Sequence, residues 1–103
     1  MAKSRLKLHQ ELLDISNNLP VYYQPPEGLK IEYPCIVYEY ENNKKFKADN
    51  STHTRYHVYN VKYIHRDPDT QLPDAIEDHF MYCNRGSRYK ADNLYHDMFT
   101  IYY

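Results

Sequence analysis

Glycine is nearly absent from this 103-residue chain, which contains only Gly28 and Gly86. A glycine-rich phosphate loop and a dinucleotide-binding fingerprint both need several glycines at fixed spacing, so neither motif is present. The G-x-S-x-G turn that carries the nucleophile of many hydrolases is missing as well. The scarcity of glycine therefore excludes the commonest nucleotide-dependent and serine-hydrolase functions.

Cysteine is equally scarce, since Cys35 and Cys83 are the only two. Neither has a cysteine or histidine at metal-ligand spacing, and two cysteines do not make a disulfide framework. We expect both thiols to be reduced, in a protein made and used in a cytoplasm. The longest apolar run, 35–38, is far shorter than the roughly 18 residues that a membrane helix requires. The basic residues at the N-terminus are not followed by the apolar region of a signal peptide.

An excess of charge of one sign is also lacking, because 13 Lys and Arg face 14 Asp and Glu. Near-neutral charge argues against a dedicated nucleic-acid-binding protein. Tyrosine is abundant instead, with 13 copies beside three phenylalanines and no tryptophan. Because tyrosine favours strands and protein interfaces, a small tyrosine-rich chain indicates a half-wet sheet or a subunit that buries surface against its own copies.

The apolar periodicity predicts a single α+β domain over residues 1–103. Leu8, Leu12 and Ile15 define a helix that Ser4 caps, and a second, short helix is expected over 71–79, after Thr70. Strands are expected at 21–24, at 33–40, at 55–65 and from Leu94 onward, with a turn at 85–87. We therefore predict a mixed, mostly antiparallel sheet of about four to five strands, packed with an N-terminal helix and one short helix.

A polar segment, 41–54, separates two of these strands and contains Lys44, Lys45, Lys47 and Asp49. A connection of about fourteen residues is long for a hairpin and indicates a functional or mobile loop. The motif Phe-Lys-Ala-Asp-Asn at 46–50 is echoed by Tyr-Lys-Ala-Asp-Asn at 89–93. The two copies are either similar elements at one rim of the sheet or simply Asp-Asn turn chemistry.

Charge is unevenly distributed along the chain. The segment 66–79 carries five carboxylates against one arginine, whereas 41–55 carries Lys44, Lys45, Lys47 and Arg55 against two acidic residues. Two readings remain open: a solvated dipolar surface, or an acidic and a basic patch that dock head-to-tail with neighbouring copies.

Candidate catalytic groups are weak. His57 and His65 lie eight residues apart on one predicted strand, roughly 26 Å by strand rise, and cannot share a metal. The triplet His65-Arg66-Asp67 matches a kinase motif without any of its context, and nothing in the sequence places a base beside Cys83. We expect no catalytic residue, metal or cofactor.

The order of elements, with its short motifs, resembles the tail terminators of long-tailed bacteriophages. The residues that carry the resemblance are Val-Tyr-Tyr-Gln-Pro-Pro at 21–26, Ile-Glu-Tyr-Pro-Cys-Ile-Val-Tyr at 31–38, Asp-Pro-Asp at 67–69 and Ala-Asp-Asn at 91–93. The resemblance covers nearly the whole chain. It implies a structural subunit without a cofactor, which forms a ring, commonly hexameric, on the tail tube.

The partners that this resemblance implies are other copies of the chain, the tail-tube protein, a head-completion or connector protein, and DNA in transit, but no membrane. The expected location is the virion tail or neck, assembled in the host cytoplasm. A head-closure protein, or a small nucleic-acid-binding module with a tyrosine-rich sheet face, are the alternatives. The residues expected at an interface are Lys44, Lys45, Lys47, Asp49, Arg55, Asp67, Asp69, Asp74, Tyr102 and Tyr103.

Overall fold

A computed structural model describes the backbone of residues 3–48 and 52–103, and the side chains of these residues outside 43–54. Its strands form one sheet in the order β1-β2-β3-β5-β4, in which β1 and β2 are parallel and the other neighbours are antiparallel. The α+β fold predicted from the sequence is confirmed. The elements are α1 (Arg5–Ile15), β1 (Val21–Tyr23), β2 (Cys35–Ala48), β3 (Thr52–His65), α2 (Leu72–His79), β4 (Cys83–Ala91) and β5 (Leu94–Tyr102).

Helix α1 begins and ends where its sequence signals lie. The Ser4 hydroxyl accepts a hydrogen bond from the Leu6 backbone N–H at 3.1 Å and so satisfies one free donor of the first turn. Asn17 and Asn18 have φ angles of 58° and 66°, a left-handed conformation that asparagine tolerates and that ends the helix.

Helix α2 is shorter than its predicted span and begins at Leu72. Its N-cap is Gln71 rather than Thr70, and no side chain caps it. The Thr70 hydroxyl still accepts a hydrogen bond from the Leu72 N–H at 3.4 Å. The proline in the first turn suits this position, because that N–H has no partner within a helix.

The main core lies between one face of the sheet and the two helices. Leu8 and Leu12 of α1 and Ile76 of α2 are fully buried there, against inward-facing residues of β2, β3 and β5. The opposite face carries only a small buried cluster of Cys35, Ile64 and Leu94, and no helix of the described chain packs on it. We call it the helix-free face.

The prediction of a loop over 41–54 is wrong for most of this segment. Strand β2 continues to Ala48 and β3 starts at Thr52, with Cα pairs running from Asn42↔Val58 to Ala48↔Thr52. Residues 49–51 lie outside the described residues. A β-bulge between Tyr40 and Asn42 separates this polar stretch from the apolar half of β2. Backbone pairing thus continues past the point where hydrophobic alternation stops.

The prediction of a turn at 85–87 is also wrong. These residues belong to β4, which has a β-bulge between Arg85 and Arg88. A Cβ on Gly86 would lie 3.3 Å from the Met98 Cβ, so the glycine permits close approach of β4 to β5. The chain reverses instead at Asp92 and Asn93, whose φ angles are 52° and 63°. Two successive positive φ angles define a type I′ hairpin turn.

Candidate interaction surface

The polar half of the β2–β3 hairpin extends beyond the rest of the sheet. We call residues 42–48 of β2 and 52–56 of β3 the arm. On one side, pairing with β1 ends at Tyr23, and Gln24 makes the last contacts: its N–H donates to the Tyr38 carbonyl at 2.9 Å, and its Oε1 accepts from the Tyr40 N–H at 3.5 Å. On the other side, pairing ends at His57 with Tyr103. Within the described chain the arm is therefore a two-stranded ribbon.

A two-stranded ribbon of this kind has little stability by itself. Seven residues of β2 span roughly 20 Å at the usual strand rise, in a molecule whose longest dimension is 50 Å. Two-stranded hairpins are marginally stable in water, and both outer edges leave backbone donors and acceptors without strand partners. The arm is therefore a candidate interaction surface.

The acidic residues lie at the opposite end of the same strand. Asp67 and Asp69 are exposed in the turn that follows β3, where the Asp67 Oδ1 accepts a hydrogen bond from the Asp69 N–H at 2.9 Å. We call residues 67–70 the acidic turn. Because β3 has 14 residues, its two ends lie roughly 43 Å apart. The basic arm of one molecule therefore cannot reach its own acidic turn.

The echoed motif lies at opposite ends of the sheet as well. The strand residues that flank 49–51 are at the arm end, whereas the Asp92–Asn93 turn lies beside the β3 C-terminus, where His65 pairs with Tyr95. The expectation that both turns share one rim is wrong. The turn-chemistry reading fits the second copy, and the first extends outside the described residues.

A buried charge cluster fixes the acidic turn to the sheet. Arg88 donates to Asp97 through Nε and Nη2, at 2.7 and 3.0 Å, and its Nη1 donates to the Pro68 carbonyl at 3.0 Å. The Asp97 Oδ2 also lies 2.6 Å from the His65 Nε2. One arginine on β4 thus links the edge strand, β5 and the acidic turn.

Electrostatics inside this cluster favour the charged carboxylate. Burial by itself would raise the pKa of Asp97, but hydrogen bonds from Arg88 and His65 outweigh burial, so the pKa is lowered. The His65 ring is buried and stacks on Tyr63 and Tyr95, with centroids 4.3 and 5.7 Å away. The His65 and Asp97 side chains are thus secluded from solvent, and the cluster joins β3, β4 and β5.

Sequence reasoning assigned no role to Asp97 or Arg88. The signal was present, because Asp97 occupies the inward phase of β5 together with Phe99 and Ile101. A carboxylate at a core position requires a charged or hydrogen-bonding partner. The same alternation places His65 inward on β3.

The predicted interface residue Asp74 has a partner within the molecule. Arg85 on β4 donates to the Asp74 Oδ1 at 2.5 Å and to the Glu77 Oε1 at 3.4 Å, and both carboxylates belong to α2. The Asp74 side chain remains 72% exposed. Asp74 can therefore contribute to a surface, but its charge is already balanced.

Two other predicted interface residues, Tyr102 and Tyr103, differ from each other in exposure. Tyr103 is only 4% exposed and packs edge-on against Phe80, so it belongs to the core of the subunit. Tyr102 is half-buried and belongs to β5, where its N–H donates to the Tyr82 carbonyl at 2.9 Å. The placement of Tyr103 follows from its inward phase in the β5 alternation.

The remaining predicted interface residues lie on or next to the arm. Arg55 is exposed, and its Cα is the partner of the Lys45 Cα across the ribbon. The backbones of Lys44, Lys45 and Lys47 are part of β2. Asp49 lies outside the described residues.

Metal and thiol chemistry find little support in the described chain. No group of three or more His, Cys, Asp and Glu there has the geometry to hold a metal ion. Burial raises the pKa of the Cys35 thiol to about 11, and burial together with nearby Glu77 does the same for Cys83. Both thiols are protonated at neutral pH, and neither is activated as a nucleophile.

No protein-family model and no curated protein matches this chain. Neither helix in the described part of the chain is long and apolar enough to cross a membrane.

Proposed function

We propose that the protein is a structural subunit of a phage neck, a tail terminator that forms a ring on the tail tube and joins the tail to the head. The opposite charges at the two ends of β3 carry the proposal. A basic arm and an acidic turn roughly 43 Å apart at the two ends of one strand can meet only between two molecules. Such a contact is head-to-tail, which generates a ring when the rotation closes.

The chemistry of the two ends fits such a contact. Lys44, Lys45 and Lys47 lie in an arm that lacks a third strand, so docking would both order the ribbon and neutralise its charge. The receiving surface, Asp67 and Asp69, is held rigid through Arg88. A pre-ordered surface loses less conformational entropy on binding.

Ring closure is the feature taken from the resemblance to tail terminators. The ring would contact the tail-tube protein on one side and a head-completion or connector protein on the other, and DNA would pass through it. A head-closure protein would use the same head-to-tail geometry, so the position in the particle distinguishes the two roles.

The alternative nucleic-acid-binding function has weaker support. Arg85 and Arg88 form ion pairs with carboxylates of the same molecule. The lysines of the arm lie at the other end of the sheet. A continuous basic surface beside the tyrosines, which single-strand binding requires, does not form from these residues.

Native mass spectrometry and electron microscopy over a range of protein concentrations, with and without tail tubes, test the proposal. We expect closed rings, or their formation on the tube end. Reversing the arm charges (Lys44→Glu, Lys45→Glu and Lys47→Glu) should abolish them, and so should Asp67→Lys with Asp69→Lys.

Mixing the two charge-reversed proteins provides the sharpest control. Each variant alone has like charges on its arm and its acidic turn and should not assemble. In an equimolar mixture the arm of each variant faces an oppositely charged turn of the other, so alternating rings should form, and one chain carrying all five reversals should also assemble again. Lys30→Glu, at an exposed position outside the arm and the acidic turn, should leave assembly intact. A wild-type chain that stays monomeric under all conditions, tail tubes included, would overturn the proposal.

A further inference from the structure

The outer edge of β2 in the arm presents backbone groups in a regular pattern. His57 and Tyr103 exchange both backbone hydrogen bonds, at 3.4 and 2.8 Å, so the backbone of His57 faces β5 and that of Val58 faces β2. Asn42 pairs with Val58 and therefore faces β3. By alternation, the N–H and C=O groups of Asn43, Lys45 and Lys47 point away from the sheet.

Charge determines what can pair with this edge. The outer edge of β2 is basic through Lys44, Lys45 and Lys47, and the edge strand β4 carries Lys90, since Arg88 is paired with Asp97. Like charges opposite each other destabilise strand pairs, and lysine on an edge discourages pairing with copies of itself. Extension of the sheet by another copy of the chain is therefore disfavoured, whereas a strand that carries carboxylates would be accepted.

A cavity of about 330 Å³ lies beside the start of this edge, where Gln24 and Pro25 turn away from β2. Its floor is the helix-free face, with Val37, Asn60 and Lys62. Lys62 is half-buried, and within the described chain no carboxylate forms an ion pair with it. Glu39 also lines the cavity, so a side chain entering it meets both a cation and an anion.

We propose that the outer edge of β2 binds an extended, acidic segment of a different protein by strand addition. Backbone hydrogen bonds to Asn43, Lys45 and Lys47 would supply affinity, and the arm lysines would select acidic side chains. The cavity at Lys62 would take the side chain at one end of the segment. The inference goes beyond ring formation. Both contacts use the arm lysines, but strand addition also requires the outward backbone groups of β2, and the backbone variant below separates the two.

Synthetic peptides of about ten residues, the length of a long strand, test the inference. One alternates valine with glutamate, and a matched peptide has lysine in place of each glutamate. We expect the acidic peptide to bind at least about tenfold more tightly. Amide exchange measured by NMR should show new protection of the N–H groups of residues 43, 45 and 47, with the ladder between β2 and β3 unchanged.

Two variants separate strand addition from simple charge attraction. Lys45→Pro removes an outward N–H that takes no part in pairing with β3, a position where edge strands tolerate proline. It should weaken binding of the acidic peptide about tenfold. Lys45→Thr, which loses the charge but keeps the N–H, should weaken binding less. Ring assembly should survive Lys45→Pro, because Lys44 and Lys47 remain.

A reversal of the preference between the two peptides is a further test, because a variant whose arm had simply become disordered would bind neither peptide tightly. With Lys44→Glu, Lys45→Glu and Lys47→Glu together, the lysine peptide should become the tighter ligand. Equal binding of both peptides, protection outside 43–47, or failure of the acidic peptide to bind the wild-type protein would overturn the inference. None of these results bears on whether the chain forms rings.

Discussion

Arg88 on β4 and Asp97 on β5 are cross-strand neighbours, and the guanidinium donates a hydrogen bond to each carboxylate oxygen, at 2.7 and 3.0 Å. The carboxylate is 4% exposed, whereas the arginine is 30% exposed. A buried charge of this kind is stable only while its partner is present, because an unpaired carboxylate in the core carries a large desolvation cost. The pair therefore links the fold of the sheet to the position of the acidic turn.

Arg88→Ala should destabilise the protein by roughly 3 kcal/mol, since it leaves the buried carboxylate with only His65 as partner. Urea unfolding followed by circular dichroism measures the change. Arg66→Ala, at an exposed neighbouring position, is the matched control and should cost less than about 0.5 kcal/mol. A change as small for Arg88 as for Arg66 would contradict the role of this pair.

The lowered pKa of Asp97 predicts a dependence of stability on pH. A carboxyl group whose pKa is lower in the folded state contributes stability above its unfolded pKa, about 3.9, and that contribution disappears as the pH falls through the folded pKa. We expect the difference in unfolding free energy between wild type and Asp97→Asn to be constant near neutrality and to shrink below about pH 4. A difference that grows on acidification would show the sign to be wrong.

The sequence predicted the parts of the fold that hydrophobic periodicity encodes. The spacing of Leu8 and Leu12 located α1, and the prolines after Tyr23 located the end of β1. The predicted loop over 41–54 was wrong because polar strands have no burial pattern to reveal them. The register of their pairing is set by the apolar half of the hairpin, which lies on the other side of the bulge at Tyr40.

The interaction surface was predictable in its charges but not in its arrangement. The basic and acidic segments are visible in the sequence, yet only the course of β3 shows that they lie at opposite ends. The pairing of Asp74 with Arg85 and of Asp97 with Arg88 depends on strand order β3-β5-β4, which local patterns do not specify. These tertiary contacts place Arg85 and Arg88 in ion pairs within the subunit.

Leu12→Ala tests the packing of α1 on the sheet. Leu12 is completely buried, and its truncation should cost about 2–5 kcal/mol through lost apolar contact and the cavity that remains. Leu6→Ala, on the same helix, is the control, because Leu6 is 67% exposed. Thermal unfolding of both variants should show a clear loss of stability for Leu12→Ala alone. Equal effects would mean that α1 does not pack through this face.

The turn between β4 and β5 offers a change that should stabilise the protein. Asn93 has a φ of 63°, which glycine adopts without strain and a β-branched residue resists. Asn93→Gly should therefore raise the free energy of unfolding by a few tenths of a kcal/mol or leave it unchanged, whereas Asn93→Val should lower it by about 1–2 kcal/mol. Denaturant unfolding of the two variants measures both values. Equal stability of the two variants would contradict the left-handed conformation at Asn93.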